Sequence, residues 1–256
     1  MDPTSWLIFA AAVFIASYVQ SVIGFAMGMI VMAIVGASDA VSLPELTAAV
    51  SIISFVNIVV ALKGHLTVVH RRVLGWLILS QIPAIFLGLF LLTVLDRDAQ
   101  AVLRFLLGLF IAGGSLSTMI RPAPRATVSG RLSCVAAGLS GGIIGGLFSA
   151  SGPVIGWFLY RQPLPLLTIR ATMLCFFGLG TFSRTVIVGF QGGLSSAVWW
   201  LSAIAFPLVV IGAWLGRIKP PPLPDLALKR AVFFLLFALG VFIMASAFFD
   251  GFRMRQ

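Results

Sequence analysis

Charge is scarce in this chain: only 9% of its 256 residues are charged, against 60% that are hydrophobic. A water-soluble domain carries about 25% charged residues, so there is too little charge here to cover a soluble surface. The chain is expected to be an integral membrane protein. At about 20 apolar residues per spanning helix, its length holds about eight such segments and leaves no room for a separate soluble domain. Asp and Glu are scarcer still, 7 in all, and none lies inside an apolar block, so a buried carboxylate proton relay has no candidate. The 2 cysteines, Cys134 and Cys175, stand in apolar stretches too far apart for a CxxC redox or zinc pattern. Histidine is limited to His65 and His70, both in one short basic stretch. No HExxH, P-loop or intramembrane acidic pair occurs, so metalloprotease and nucleotide-driven mechanisms lack their parts. Gly138-Leu139-Ser140-Gly141 has the GxSG form of an intramembrane serine protease. Such a serine needs a histidine base within reach, and a Gly-rich helix explains Ser140 better. No catalytic residue, metal ligand or cofactor is expected.

The basic residues are present in excess, giving a net charge of +10. In a soluble protein this would suggest nucleic acid; here the cations punctuate apolar runs and read as topology determinants, so no nucleic-acid partner is expected. Met1 to Ser38 carries only Asp2 and lacks the basic start of a cleavable signal peptide, which predicts a retained N-terminus. Apolar blocks fall at roughly 5–37, 45–62, 73–94, 101–120, 131–161, 167–190, 196–216 and 229–249. A basic, Pro-containing linker with Arg121, Pro122, Pro124, Arg125 and Arg131 separates the first four from the last four.

The two halves read as a repeat. Pro83 to Gly88 matches Pro207 to Gly212 at an offset of 124, and Phe55-Val56-Asn57 matches Phe182-Ser183-Arg184 at 127. Ser21 to Gly28 pairs with Gly146 to Pro153, and Phe110 to Gly113 with Phe237 to Gly240, in the same order. The implied organisation is a first membrane repeat at 1–120, a basic cytoplasmic linker at 121–131 and a second membrane repeat at 132–256.

The first block of each half is too long for one crossing. Residues 3–38 carry no charge and as a helix would run about 54 Å at 1.5 Å per residue, against a hydrocarbon core of about 30 Å. Residues 132–160 are likewise uncharged, and small or polar residues interrupt both stretches. Each is either a long tilted helix or a re-entrant pair of half-helices. Full crossing by all eight blocks divides the basic residues evenly between the two faces. If the first and fifth blocks return to their own side, Lys63, Arg71, Arg72, Arg121, Arg125, Arg131, Arg161, Arg170, Arg217, Lys219, Lys229 and Arg230 share one face. Arg97, Arg104, Arg253 and Arg255 are left opposite. The positive-inside rule favours the second arrangement: an all-α fold of two four-segment repeats, inverted with respect to each other, each starting with a broken or re-entrant helix. Both termini are then periplasmic.

Substrate-binding candidates follow from the interruptions: Gln20, Ser21, Gly24 and Gly28 in the first, Ser149, Ser151, Gly152 and Pro153 in the second. Non-helical backbone at membrane depth is tolerated where it lines a cavity, and a half-helix that begins there turns its positive end and free N–H groups toward an anion. The alternative is small residues placed for close helix packing. Arg184 is the one charged residue inside a block, with Asn57 at the matching place in the first half. An Arg at the bilayer centre costs at least about 2.5 kcal/mol on insertion scales, unless it snorkels to the surface. Both readings of Arg184 stand at this point.

On these residues, Ser21 to Gly28, Gly146 to Pro153, the Pro-x4-Gly segments at Pro83 and Pro207, and the Asn57/Arg184 position, the chain resembles the TauE/SafE sulfite exporter family over essentially its whole length. Family members often carry three consecutive glycines in the first segment, where this chain has Ala26-Met27-Gly28, and glycines where Ser149 and Ser151 stand. The resemblance implies a permease in the bacterial inner membrane for small sulfur-containing or organic anions such as sulfite, sulfonates or sulfoacetate. Alternating access is the expected mechanism, with an anion channel and, behind it, an intramembrane enzyme as the other readings. The coupling ion, Na+ or a proton if one is used, and the oligomeric state, a homodimer among the options, stay open.

Overall fold

The computed structural model describes residues 3–36, 41–119, 125–219 and 225–253, all in helices and short connections and without a strand among them. The first block is a broken helix: α1 (Pro3–Ile23) is followed by α2 (Met27–Ile34). Next come α3 (Leu43–Leu62), α4 (Arg71–Asp98) and α5 (Gln100–Met119). The second half repeats the order, with α6 (Arg131–Phe148) and α7 (Gly152–Tyr160) as the broken pair, then α8 (Leu166–Phe190), α9 (Ser196–Ile218) and α10 (Asp225–Arg253). Seven helices among the described residues are long and apolar enough to cross a membrane: α1, α3, α4, α5, α6, α8 and α9. Of α10, the stretch Val232–Phe248 is apolar. Side chains such as Phe190 (90% exposed) and Leu132 (83%) lie bare on the outside, as a lipid-facing surface allows. The chain is a multi-pass membrane protein.

Local chemistry sets the helix ends. The Ser42 hydroxyl caps α3, accepting from the Glu45 N–H while donating to the Glu45 carboxylate, with Pro44 in the first turn. Ser195 caps α9 through the Val198 N–H, and its hydroxyl donates to Glu45 Oε1 at 2.8 Å, so α3 and α9 start at the same end of the molecule. The breaks have a backbone cause. Gly24 and Ala26 have φ of 95° and 112°, and Ser149 has φ of 52°. These left-handed conformations stop a right-handed helix, and for the non-glycine residues they cost energy.

Packing pairs each broken helix with a proline-containing one. Gly138, Gly142 and Gly146 of α6 abut Leu77 and Ser80, Gln81 and Ala84, then Ile85 and Gly88 of α4, so the two helices run parallel with glycines every fourth residue at the seam. Gly212 and Gly216 of α9 meet Phe14 and Ser17, then Tyr18 and Ser21 of α1, also in parallel. Helix α5 runs antiparallel to α10, Gly108 facing Gly240 and Met244 and Gly240 facing Ala112.

The end of α7 returns to the beginning of α6. Arg125 N–H donates to the Arg161 carbonyl at 2.8 Å, and Gln162 exchanges two hydrogen bonds with Ser129, accepting from its N–H at 2.8 Å and donating to its hydroxyl at 2.9 Å. The backbone N–H of His70 donates to Thr172 Oγ1 at 3.0 Å, which puts the connection before α4 at the same end as the start of α8.

Candidate functional site

The two breaks meet in the interior. Gly28, in the first turn of α2, lies so close to Ser149 and Ala150 that a single added methyl group would collide with them. Phe25 crosses to the other hairpin and lies over Gly152 and Gly156, with its ring stacked on Phe233 of α10 at a centroid distance of 5.6 Å.

Each break is tied to a neighbouring helix by a polar network. At the first, Gln20 Oε1 accepts from the Met27 N–H at 3.1 Å, taking up a backbone donor at the start of α2. Gln20 Nε2 donates to Asn57 Oδ1 at 3.0 Å, and Asn57 donates to the Ser17 carbonyl at 3.1 Å and hydroxyl at 2.6 Å. At the second, Arg184 Nε donates to the carbonyl of Gly146 at 3.1 Å, in the last turn of α6 where carbonyls have no helical partner. Nη1 donates to the Thr47 carbonyl at 2.9 Å and Ser51 Oγ at 2.8 Å, and Nη2 to Thr47 Oγ1 at 2.7 Å. Ser51 Oγ also lies 2.9 Å from Ser149 Oγ. Asn57 and Arg184, at matching places in the two halves, thus perform matching tasks.

Arg184 is 1% exposed, so the snorkelling alternative is overturned: its guanidinium is held deep among helix carbonyls and hydroxyls. Four of its five N–H donors are engaged, all by neutral acceptors. No carboxylate among the described residues stands within ion-pair distance. A buried cation without a counter-charge leaves a positive field that neutral dipoles offset only in part.

That field acts on a cavity of about 40 Å3 between the breaks, room for a few waters. Of the sequence candidates, Gln20, Gly28, Ser149, Ser151, Gly152 and Arg184 line it. Four do not. Asn57 stands one layer behind Gln20; Ser21 faces the α9 seam at Gly216; Gly24 packs against Met173 and the Arg170 stem; and Pro153 packs on Gly114 of α5. Gly152 borders the cavity, but the space a side chain would enter at that residue already holds the Phe25 ring.

Sequence reasoning missed Gln81, Ser54, Thr181, Phe25 and Phe177, which also line the cavity. Gln81 is 2% exposed; its Nε2 donates to the Phe176 carbonyl at 3.3 Å, while its Oε1 is buried with no partner among the described residues. A lone amide inside an otherwise apolar block was the available signal. Ser140, by contrast, is bonded to the Ala136 carbonyl of its own helix at 2.7 Å, the behaviour of a helix-packing serine.

Residues 9–243 match the model of the family described as "Sulfite exporter TauE/SafE". The chain belongs to the TauE/SafE family. It is also 34% identical, over 231 residues covering 90% of both chains, to a protein of Cupriavidus necator named "Probable sulfite/organosulfonate exporter TauE". No solved structure matches. As a TauE/SafE member the chain is a membrane transporter and not an enzyme.

Proposed function

We propose that this protein moves sulfite or small organosulfonate anions across the bacterial inner membrane by alternating access, binding them between the two helix breaks. The observation that carries the reading is Arg184: a buried guanidinium with no carboxylate partner among the described residues, at the wall of a cavity built from both interruptions. The N–H groups of Gly152 and Val154 at the start of α7, which have no partner within their helix and are separated by Pro153 with none, and the hydroxyls of Ser149 and Ser151 supply the further donors a sulfur oxyanion takes. Arg184 also fixes the C-terminal end of α6, so a change in the position of that half-helix and a change in the anion site are mechanically linked.

The proposed topology has two inverted repeats, 1–120 and 132–256 joined by the linker 121–131, with α1–α2 and α6–α7 as re-entrant hairpins. The bonds between 125–129 and 161–162 support it for the second hairpin. The parallel pairings of α1 with α9 and α4 with α6 support the equivalence of the halves. The basic loops then face the cytoplasm and both termini the periplasm. An inside-negative potential favours anion exit by about 2.3 kcal/mol per charge per 100 mV, so export needs no coupling ion and no cofactor.

The test is counterflow in liposomes containing the purified protein, with sulfite, thiosulfate, methanesulfonate and acetate presented in turn. Saturable, trans-stimulated exchange of sulfite or methanesulfonate is expected. Flux that rises linearly with concentration would replace the carrier by a channel, and no flux of any of the four would remove the anion reading.

A further inference from the structure

A second concave site lies away from both breaks, where the N-terminal ends of α4 and α6 come together. It encloses about 250 Å3 and is lined by His70, Arg72, Trp76, Ser129 and Arg131, with buried Cys134 among its walls. Among the described residues the lining contains two guanidinium groups and no carboxylate. Arg125, whose Nη1 donates to Ser129 Oγ at 2.8 Å, brings a third cation to its edge. Because α4 and α6 run parallel, the positive ends of both helices face the same space. The N-cap of α6 is Gly130, with no side chain to satisfy the first N–H groups. His70 Nδ1 accepts from the Val73 N–H at 3.2 Å, which leaves Nε2–H as the donor of the neutral ring. The Arg131 guanidinium sits over Trp76 at 5.1 Å from the ring centroid, a cation–π contact that limits where the planar fork can point.

The surroundings are apolar on one side. Arg72, Trp76 and Leu79 follow one another along one stripe of α4 at helical spacing, and Leu79 is 65% exposed; Leu132, next to Arg131, is 83% exposed. The basic pocket therefore opens directly onto lipid-facing surface. A free soluble anion would need only the cations; the adjoining bare leucines fit a ligand whose charged end continues into hydrocarbon.

We propose that this pocket binds a phosphate-bearing anion, the headgroup phosphate of an anionic phospholipid, with its acyl chains lying over Leu79 and Leu132. Arg72 and Arg131 grip the phosphate oxygens, and Ser129, His70 Nε2–H and the first N–H groups of α6 complete the donor set. The site ties the lipid to the N-terminal ends of α4 and α6, and the other end of α6 meets Arg184, but it does not depend on which anion is transported.

Thermal unfolding of the full chain in a neutral detergent tests this, with dihexanoyl phosphatidylglycerol, dihexanoyl phosphatidylcholine and inorganic phosphate as probes. Phosphatidylglycerol should raise Tm in a concentration-dependent way and phosphatidylcholine should not. In Arg72→Gln/Arg131→Gln, the half-maximal phosphatidylglycerol concentration should rise by about tenfold or more, the loss expected for charge-assisted contacts. Arg131→Lys, which keeps the charge, should retain most of the response. Both arginines are exposed, so the variants should fold. An equal response in wild type and the double Gln variant would overturn the site. An equal shift by inorganic phosphate at the same concentration would overturn the lipid as its source and make free phosphate the ligand.

Discussion

Arg184 grips Thr47 at two points: Nη1 donates to its carbonyl at 2.9 Å and Nη2 to its hydroxyl at 2.7 Å. The two residues are on α8 and α3, and the same guanidinium reaches Gly146 at the end of α6. Three elements therefore converge on one cation. Arg184→Lys keeps a charge but cannot reproduce a planar fork, so transport should persist with a higher half-saturation concentration. Arg184→Gln removes the charge as well. Losing a charge-assisted contact costs about 1.5–3 kcal/mol, so anion affinity should fall by roughly ten- to a hundredfold. Half-saturation measured in liposomes, alongside the amount of folded protein, checks this; an unchanged value in the Gln variant would leave Arg184 as a structural tie only.

Gln81 tests the sign of the field in the cavity. Gln81→Glu changes almost no volume, yet places a carboxylate among groups arranged as donors for an anion, where like charges repel. Sulfite or sulfonate flux should fall at least about tenfold, by the same charge-assisted magnitude. Gln81→Leu should be milder, because the amide carbonyl has no protein partner to lose. Flux measured for both variants at equal protein density decides it; a Glu variant as active as wild type would place the anion elsewhere.

The helices and their interruptions were legible because both are written locally. Charge-free runs longer than a bilayer is thick could only tilt or break, the distribution of basic residues favoured breaking, and Gly24, Gly28, Ser149 and Gly152 marked where. The conformation of the first break was less legible: Ala26 adopts φ of 112°, which an alanine disfavours and only the surrounding fold enforces. The partners of Arg184 were hidden for another reason. Thr47 and Ser51 are ordinary residues of an apolar helix, and their role arises when α3 packs against α8, at a sequence separation of more than 130 residues. Gln81 was overlooked likewise, since its approach to Gly180 is tertiary. Pro153 and Ser21, chosen from the same local pattern, turned out to face packing seams.

The proposed topology makes the connection at 125–130 and the turn at 191–193 face opposite sides of the membrane. Single cysteines replacing Ala126, Leu66 and Gln191, all exposed, can be labelled with an impermeant maleimide in right-side-out cells. Cys134 and Cys175 are buried and should give little background. Only the Gln191→Cys variant should label before permeabilisation. Labelling of the Ala126 and Gln191 variants from the same side would show that the second hairpin crosses the membrane fully.

Phe25 and Gly152 couple the two breaks sterically. A Cβ on residue 152 would stand 2.6 Å from Phe25 Cδ2, too close for carbon atoms, whose optimal separation is about 3.5–4.0 Å. Gly152→Ala should therefore push the Phe25 ring toward the cavity or force α7 away from the first break, lowering both transport and Tm. Replacing Gly24 would be a poorer probe, because its φ of 95° strains any other residue whatever the space available. Phe25→Ala alone enlarges the cavity and removes the stack on Phe233. Truncating a buried Phe typically costs about 3–5 kcal/mol, so this variant should be less stable as well. The informative measurement is the double variant: with the ring gone, only the Cβ of residue 25, at 3.3 Å, still faces the added methyl group, and Gly152→Ala should cost much less than in wild type. An interaction free energy of about 0.5–3 kcal/mol is the range for residues in contact. If Gly152→Ala costs the same in the Phe25→Ala background as in wild type, the ring is not what requires a glycine at 152.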